Sequence, residues 1–180
     1  MGHSLEPKRG NRREFVSAGL ATAALMIGSK GQEVMAQEMT PDQNTAMIRR
    51  YIEAVFNGHD LDVLTTYLAD DLASHWLGQG DLNGLAAWKE GMVGFFTAFP
   101  DATYTLDDLF CVADRGVWRG RWRATHKGVW EGIAPTGHVV NWTVIIIGRF
   151  VDGKIAEDWV EYDRLGLYRQ LGAIPVVETT

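Results

Sequence analysis

At Thr103 the spacing of the apolar residues changes, and no other feature of the chain constrains the fold as tightly. Upstream, apolar side chains recur every three or four positions: Met47, Ile48, Tyr51, Ile52, Val55 and Phe56 in one run, Leu85, Trp88, Met92, Phe95, Phe96 and Phe99 in another. That is the buried stripe of an amphipathic helix. Downstream, TYTLDDLFCVA, VWRGRWRATH, VVNWTVIIIGRF and the run after Gly153 are rich in β-branched and aromatic residues, as strands are. Helices first and a strand meander afterwards predict an α+β fold, with a curved, mixed or antiparallel sheet wrapped on N-terminal helices. A strongly curved sheet leaves a blind pocket at the mouth of its cone, the default place for a small-molecule site.

The punctuation agrees with this division. Thr40-Pro41-Asp42-Gln43 combines an N-cap, a proline at the first helical position and a Gln that can close a capping box, and Asn57-Gly58 stops the helix. Asp60 is placed to cap a second short helix with Leu61, Leu64, Tyr67 and Leu68 inward, and ASHWLG follows as a short strand carrying His75. A third helix is expected over residues 82–98, ended by Pro100. Asp114-Arg115-Gly116 and Val151-Asp152-Gly153-Lys154 then read as hairpin turns.

With 180 residues, 46% of them hydrophobic, the chain can form one domain with a core of its own. Its first 36 residues have a separate character. They hold five Lys/Arg against three Asp/Glu, with paired Arg12 and Arg13 in NRREFVS, then the 13-residue apolar run VSAGLATAALMIG and the small residue Ala36 before Gln37. The run is too short to span a bilayer. Residues 1–36 are therefore expected to be a cleaved export signal of the twin-arginine type, delivering residues 37–180 folded to the periplasm or the medium, with no stable membrane span after processing. The remainder holds 12 Lys/Arg against 20 Asp/Glu, a net charge of −8 that argues against nucleic acid as a partner. The single cysteine, Cys111, lies between LF and VA and reads as a core thiol. No CxxC, HExxH, GxGxxG or phosphate-binding loop is present, so neither a metal nor a nucleotide is indicated.

The chemistry concentrates in GKIAEDWVEYDRLG, residues 153–166. A strand here has two phases: Ala156, Asp158, Val160 and Tyr162 on one face, Glu157, Trp159, Glu161 and Asp163 on the other. A purely solvated face would not use Trp159 and Tyr162 in so short a run, so one carboxylate should share an enclosed face with an aromatic. The plain alternative is that Glu157 and Asp158 make surface pairs with the row Arg119, Arg121 and Arg123. Glu161 and Asp163, in phase with Trp159, are the candidate acids if a bulge near Tyr162 turns them inward, and His75 is the candidate assistant. His126, at the end of a strand before a loop rich in Gly and Pro, either orients a substrate carbonyl or ties down that loop. Trp142, Trp159 and Tyr162 are candidate walls for a flat hydrophobic ligand. Alternation of large apolar residues with arginine in VWRGRWR leaves an outer sheet face too aromatic to stay bare, which suggests a homodimer.

Two stretches carry a family resemblance. Thr125, His126, Gly128, Gly132, Pro135, Thr136 and Gly137, and then the run from Asp152 to Gly172 (VDGKIAEDWVEYDRLGLYRQLG), resemble the two signature motifs of the SnoaL-like polyketide cyclases, or ester cyclases, of the nuclear transport factor 2-like superfamily. The segment Asp71-Leu72-Ala73-Ser74-His75 resembles the place where that family puts a pocket histidine. The resemblance covers about residues 44–173. It implies a cone-shaped α+β barrel, a homodimer through the outer sheet, no metal or organic cofactor, and a reaction in which one carboxylic acid exchanges a proton with a small hydrophobic carbonyl compound, an intramolecular aldol closure in the best understood members. The acid in those members lies five residues beyond the Ile of the turn, which here is Val160; Asp163 matches a further family carboxylate. Three readings follow: an exported cyclase-, isomerase- or lyase-type enzyme working through Glu161 or Asp163 with His75; a binding domain without chemistry, favoured by Val160; and an epoxide hydrolase built on the arginine row.

Overall fold

The structure is a computed structural model and describes residues 39–76 and 80–175. The expected export signal lies outside the described residues. Helix α1 (Pro41–Tyr51) starts at the capping box expected for it: Gln43 N donates to Thr40 Oγ1 at 3.3 Å and Thr40 N donates to Gln43 Oε1 at 2.8 Å. It continues into a π-helical segment, Ile52–Asn57, which its spacing did not announce. Met47, Ile48, Tyr51, Ile52, Val55 and Phe56 are all buried along this element, the stripe read from the sequence.

The second helix, α2 (Leu64–Tyr67), is a single turn; Asp60 does not cap it but accepts from Asp62 N at 3.0 Å in the preceding turn, and Leu68 already belongs to strand β1 (Leu68–Trp76). Strand β2 (Gly80–Asn83) pairs antiparallel with β1, where the start of a helix was expected. Helix α3 (Leu85–Ala98) begins later because Gly84 has φ +87° and ψ 152°, a conformation outside the helical region that only glycine adopts cheaply. Trp88, Met92 and Phe95 of α3, and Phe99 just beyond it, are buried.

Strands β3 (Thr103–Val112), β4 (Arg115–Thr125), β5 (Val139–Val151) and β6 (Lys154–Tyr162) form the expected meander, and a short helix α4 (Arg164–Gln170) follows. The six-stranded sheet has the order β2-β1-β6-β5-β4-β3; β1 lies parallel to β6 and every other neighbouring pair is antiparallel. The fold is thus α+β with a curved, mixed sheet against helices. Its inner face carries Trp118, Trp122 and Ala124 from β4, Val140, Trp142, Val144 and Ile146 from β5, and Asp158 and Val160 from β6, all buried.

This order also decides the fate of the arginine row. The neighbours of β4 are β3 and β5, so Arg119 and Arg121 on the outer face pair with Asp108 and Asp107 of β3, with Arg121 Nη2 donating to Asp107 Oδ1 at 2.8 Å. The expected pairing of Glu157 and Asp158 with that row does not occur: Glu157 accepts from Arg149 Nε of β5 at 2.8 Å, and Asp158 faces the other way. Exposed pairs such as those of Arg119 and Arg121 are screened by solvent, contribute little and leave the fold to the aromatic core.

Candidate active site

Between the inner face of the sheet and the helices lies a cavity of about 110 Å³. Six of the chain's seven tryptophans line it: Trp76, Trp88, Trp118, Trp122, Trp130 and Trp142. Flat rings that pack on one another hold such a wall rigid. Trp122 and Trp142, paired across β4 and β5, stack at 6.3 Å between centroids and 20° between planes, and Phe95 meets Trp122 edge-on at 5.0 Å. Trp118 finds room because Gly148 faces it: a Cβ at Gly148 would lie 2.9 Å from Cη2 and Cζ3 of the Trp118 ring.

One carboxylate enters this aromatic space. Asp158 is 4% exposed and lines the cavity with Val160 and Tyr162, the phase of β6 that points inward. The parallel strand β1 places Ser74 opposite Asp158, and Ser74 Oγ donates a short hydrogen bond to Asp158 Oδ1. Because the one hydroxyl proton of Ser74 is spent on Asp158, its oxygen is free to accept, and Trp76 Nε1 donates to it at 2.8 Å. The relay Trp76 to Ser74 to Asp158 ties Oδ1 of the carboxyl to strand β1. Burial raises the Asp158 pKa from 3.8 to about 6, against the opposing pull of the Ser74 bond and the His75 charge. Across the cavity Tyr51 is 2% exposed; burial first, and then the Asp158 charge, push its phenol well above the ordinary value, so it stays a neutral donor.

The residues singled out from the sequence divide between the two sides of the sheet. Trp142 and Tyr162 line the cavity. Glu161 is exposed on the outer face, and Asp163 is exposed at the start of α4, where its Oδ1 accepts from Gly166 N at 2.8 Å. The expected bulge near Tyr162 is absent: the β5–β6 register runs unbroken from Val144↔Tyr162 to Arg149↔Glu157, and its irregularity falls between Arg149 and Phe150. Neither carboxylate therefore turns inward. His75 is also on the outer face, stacked on Trp159 at 5.4 Å and 3.2 and 3.3 Å from carboxylate oxygens of Asp81 and Glu157. Its burial works against the charged form, and the bonds to Asp81 and Glu157 outweigh it, so its pKa is raised. His126 is fully buried beneath the 126–138 loop and outside the cavity lining. Thr136 N donates to its Nδ1 at 3.2 Å while its backbone bonds to His138 and Gly137, so it clasps the loop, and burial lowers its pKa and keeps it neutral.

Asp158, Ser74 and Tyr51 are the site residues that sequence reasoning passed over. The signal for Asp158 was its phase: it stands two residues before Val160, on the same face, one pleat from the position where the family resemblance expects an acid. Among the described residues no three His, Cys, Asp or Glu side chains gather as a metal site would require, no arginine lines the cavity, and no helix is long and apolar enough to cross a membrane.

Comparison with known proteins adds to this geometry. The family model for SnoaL-like polyketide cyclase matches residues 46–171. Aklanonic acid methyl ester cyclase AcmA of Streptomyces galilaeus is 30% identical over 138 residues, 72% of this chain and 91% of that protein. Among solved structures, AclR of Streptomyces galilaeus superposes with a TM-score of 0.70 at 28% identity, over 77% of this chain and 87% of its own. IdmH of Streptomyces antibioticus does so with a TM-score of 0.64 at 29% identity, over 72% and 99%.

Proposed function

The chain belongs to the SnoaL-like polyketide cyclase family, and from that premise we propose that it is a cofactor-independent acid/base enzyme acting on a small hydrophobic carbonyl compound, with Asp158 as the proton-transferring group. One observation carries the reading: among the described residues, the one carboxyl lining the aromatic cavity is held by Ser74 and has its pKa brought to about 6. A carboxyl poised there is present in both forms near neutrality, as general acid/base catalysis requires.

The chemistry follows from that poise. Ionised Asp158 takes a proton from the carbon between or beside substrate carbonyls, the resulting enolate carbon bonds to a second carbonyl carbon of the same molecule, and Asp158 returns the proton to the oxygen of the new alcohol. The proton taken and the proton given balance, and the aromatic walls exclude water that would compete for the enolate. Asp158→Asn should lower turnover of a candidate ester or diketone by a factor on the order of 100 or more while leaving ligand affinity within a few-fold. The wild-type rate should show a limb near pH 6. An unchanged rate in this variant would refute Asp158 as the acid, whereas ligand binding without turnover by the wild type would favour a binding domain without chemistry, the reading supported by Val160 at the position where other members keep their acid.

Two further properties belong to the same proposal. The paired Arg12 and Arg13, the 13-residue apolar run and Ala36 support export by the twin-arginine route. Replacing both arginines by lysine should leave full-length protein in the cytoplasm, and processed protein in the periplasm would refute this. The outer-face row Phe110, Val117, Ile147 and Trp159, paired in register across four strands, with Phe110 58% exposed, supports a homodimer through the sheet. A monomer by light scattering at micromolar concentration would refute it.

A further inference from the structure

We propose that the indole N–H groups of Trp118 and Trp130 are the donors that hold the ligand's carbonyl oxygens in this cavity, an assignment that rests on the acid-site reading above. Both side chains line the cavity, and both Nε1 atoms are buried without a hydrogen-bond partner. A buried N–H left unpaired has lost its water without gaining a partner, which is why native proteins rarely leave one. Trp76 shows the usual arrangement, its Nε1 given to Ser74 at 2.8 Å. Two unpaired donors on side chains that line one cavity are a request for an acceptor that enters it.

The position of each ring supports this use. The Cη2 and Cζ3 edge of Trp118 lies against Gly148 of β5, and Nε1 is on the far side of an indole from that edge. Gly148 is the cross-strand partner of Asp158, and Trp118 pairs with Ile146, which pairs with Val160. The ring thus belongs to the strand second from the acid's, with β5 between them, and an N–H of this kind strengthens as a donor where negative charge develops on a bound oxygen. Trp130 belongs to the 126–138 loop. Its backbone is clasped to Ile133 by bonds of 3.1 and 2.8 Å, its ring stands edge-on to Phe95 at 5.7 Å and Phe99 at 5.5 Å, and Arg164 holds the adjoining Glu131 at 2.8 Å. Trp118 therefore serves an acceptor oxygen on the β4 side of the ligand, and Trp130 one at its loop end. The selectivity that results is for flat molecules with acceptor oxygens and against hydrocarbons of the same shape.

The test uses the full chain labelled with 15N-tryptophan and two probes with one carbon skeleton, benzoylacetone, a 1,3-diketone, and butylbenzene, which has no oxygen. On titration with the diketone the indole N–H signals of Trp118 and Trp130 should move downfield, and with the hydrocarbon they should not. Trp118→Phe and Trp130→Phe should each weaken the diketone roughly 2- to 10-fold and leave butylbenzene nearly unchanged. Equal responses to both probes, or no binding of the diketone at millimolar concentration, would overturn the proposal, and the wild-type titration decides it even where a phenylalanine variant fails to fold. The same titration in Asp158→Asn separates the two claims: downfield shifts that persist there uphold the donors whether or not Asp158 proves to be the acid.

Discussion

Replacing Asp158 by asparagine should make the protein more stable at pH 8 relative to wild type than it is at pH 4, by about 2 kcal/mol. The magnitude comes from the displaced pKa. Burial moves the group from 3.8 to about 6, roughly two units, and each unit is 1.36 kcal/mol of preference for the protonated form. Well below pH 3.8 the carboxyl is protonated in folded and unfolded chains alike and contributes no difference. As pH rises from 3.8 to 6 the unfolded chain ionises while the folded chain keeps its proton, so the folded state loses ground, and above 6 the loss is complete. Asparagine keeps an oxygen to accept from Ser74 and never ionises, so its stability lacks this slope, while every other titrating group cancels in the comparison. Urea unfolding of both proteins at several pH values between 4 and 8 gives the difference directly. The offset between them also contains the demands of the buried amide N–H groups, so the slope is the quantity to read. A difference constant to within about 0.5 kcal/mol across that range, or one of opposite sign, would refute a desolvated carboxyl and with it the proposed poise.

Glu161→Gln and Asp163→Asn should each leave turnover within about twofold, because neither side chain faces the cavity, and a loss comparable to that of Asp158→Asn would reverse the assignment. Asp163→Ala should instead cost about 1 kcal/mol by uncapping α4, measured by chemical denaturation. Gly148→Ala should cost roughly 1–3 kcal/mol and weaken ligand binding, since the added methyl meets the Trp118 ring, and a variant as stable as wild type would contradict that close approach. His75 has a raised pKa through Asp81 and Glu157, so its contribution is present below its ordinary value of 6.5 and fades as pH rises through the raised one; the melting temperature of His75→Gln should fall below that of wild type at pH 5.5 and match it at pH 8.5, with turnover unaffected.

What the sequence told of this molecule was local. The α1 capping box, the helical stripe from Met47 to Phe56 and the strand period after Thr103 are each set by residues a few positions apart, and each is present in the structure. Strand β2 was missed because Gly80–Asn83 acquires its conformation by pairing with Ala73–Trp76, and GDLN carries no strand pattern of its own. The site was hidden for the same reason. On β6 both faces carry carboxylates and aromatics, and the choice between Asp158 and Glu161 is made by neighbours distant in sequence: Ser74 of β1 opposite Asp158, and a β5 register without the bulge that would have turned Glu161 inward. Trp142 and Tyr162 were legible as walls because size and aromaticity suffice for that role. The outward placement of Trp159 was not, since an aromatic on the outer face of a sheet looks the same in sequence as one on the inner face.

The parallel pairing of β1 with β6 has a consequence for how the protein comes into being. Ser74 and Asp158 are 84 residues apart in sequence, and the strands that carry them are adjacent in the sheet. Helices α1 and α3 and the hairpins β3–β4 and β4–β5 can assemble from contacts nearby in the chain, whereas the β1–β6 ladder must wait for nearly all of it. Closing so large a loop adds its entropy cost to the folding barrier and slows the step. An emerging chain at the ribosome therefore holds its aromatic wall before it holds its acid, and the buried carboxyl is desolvated only when β6 docks beside β1.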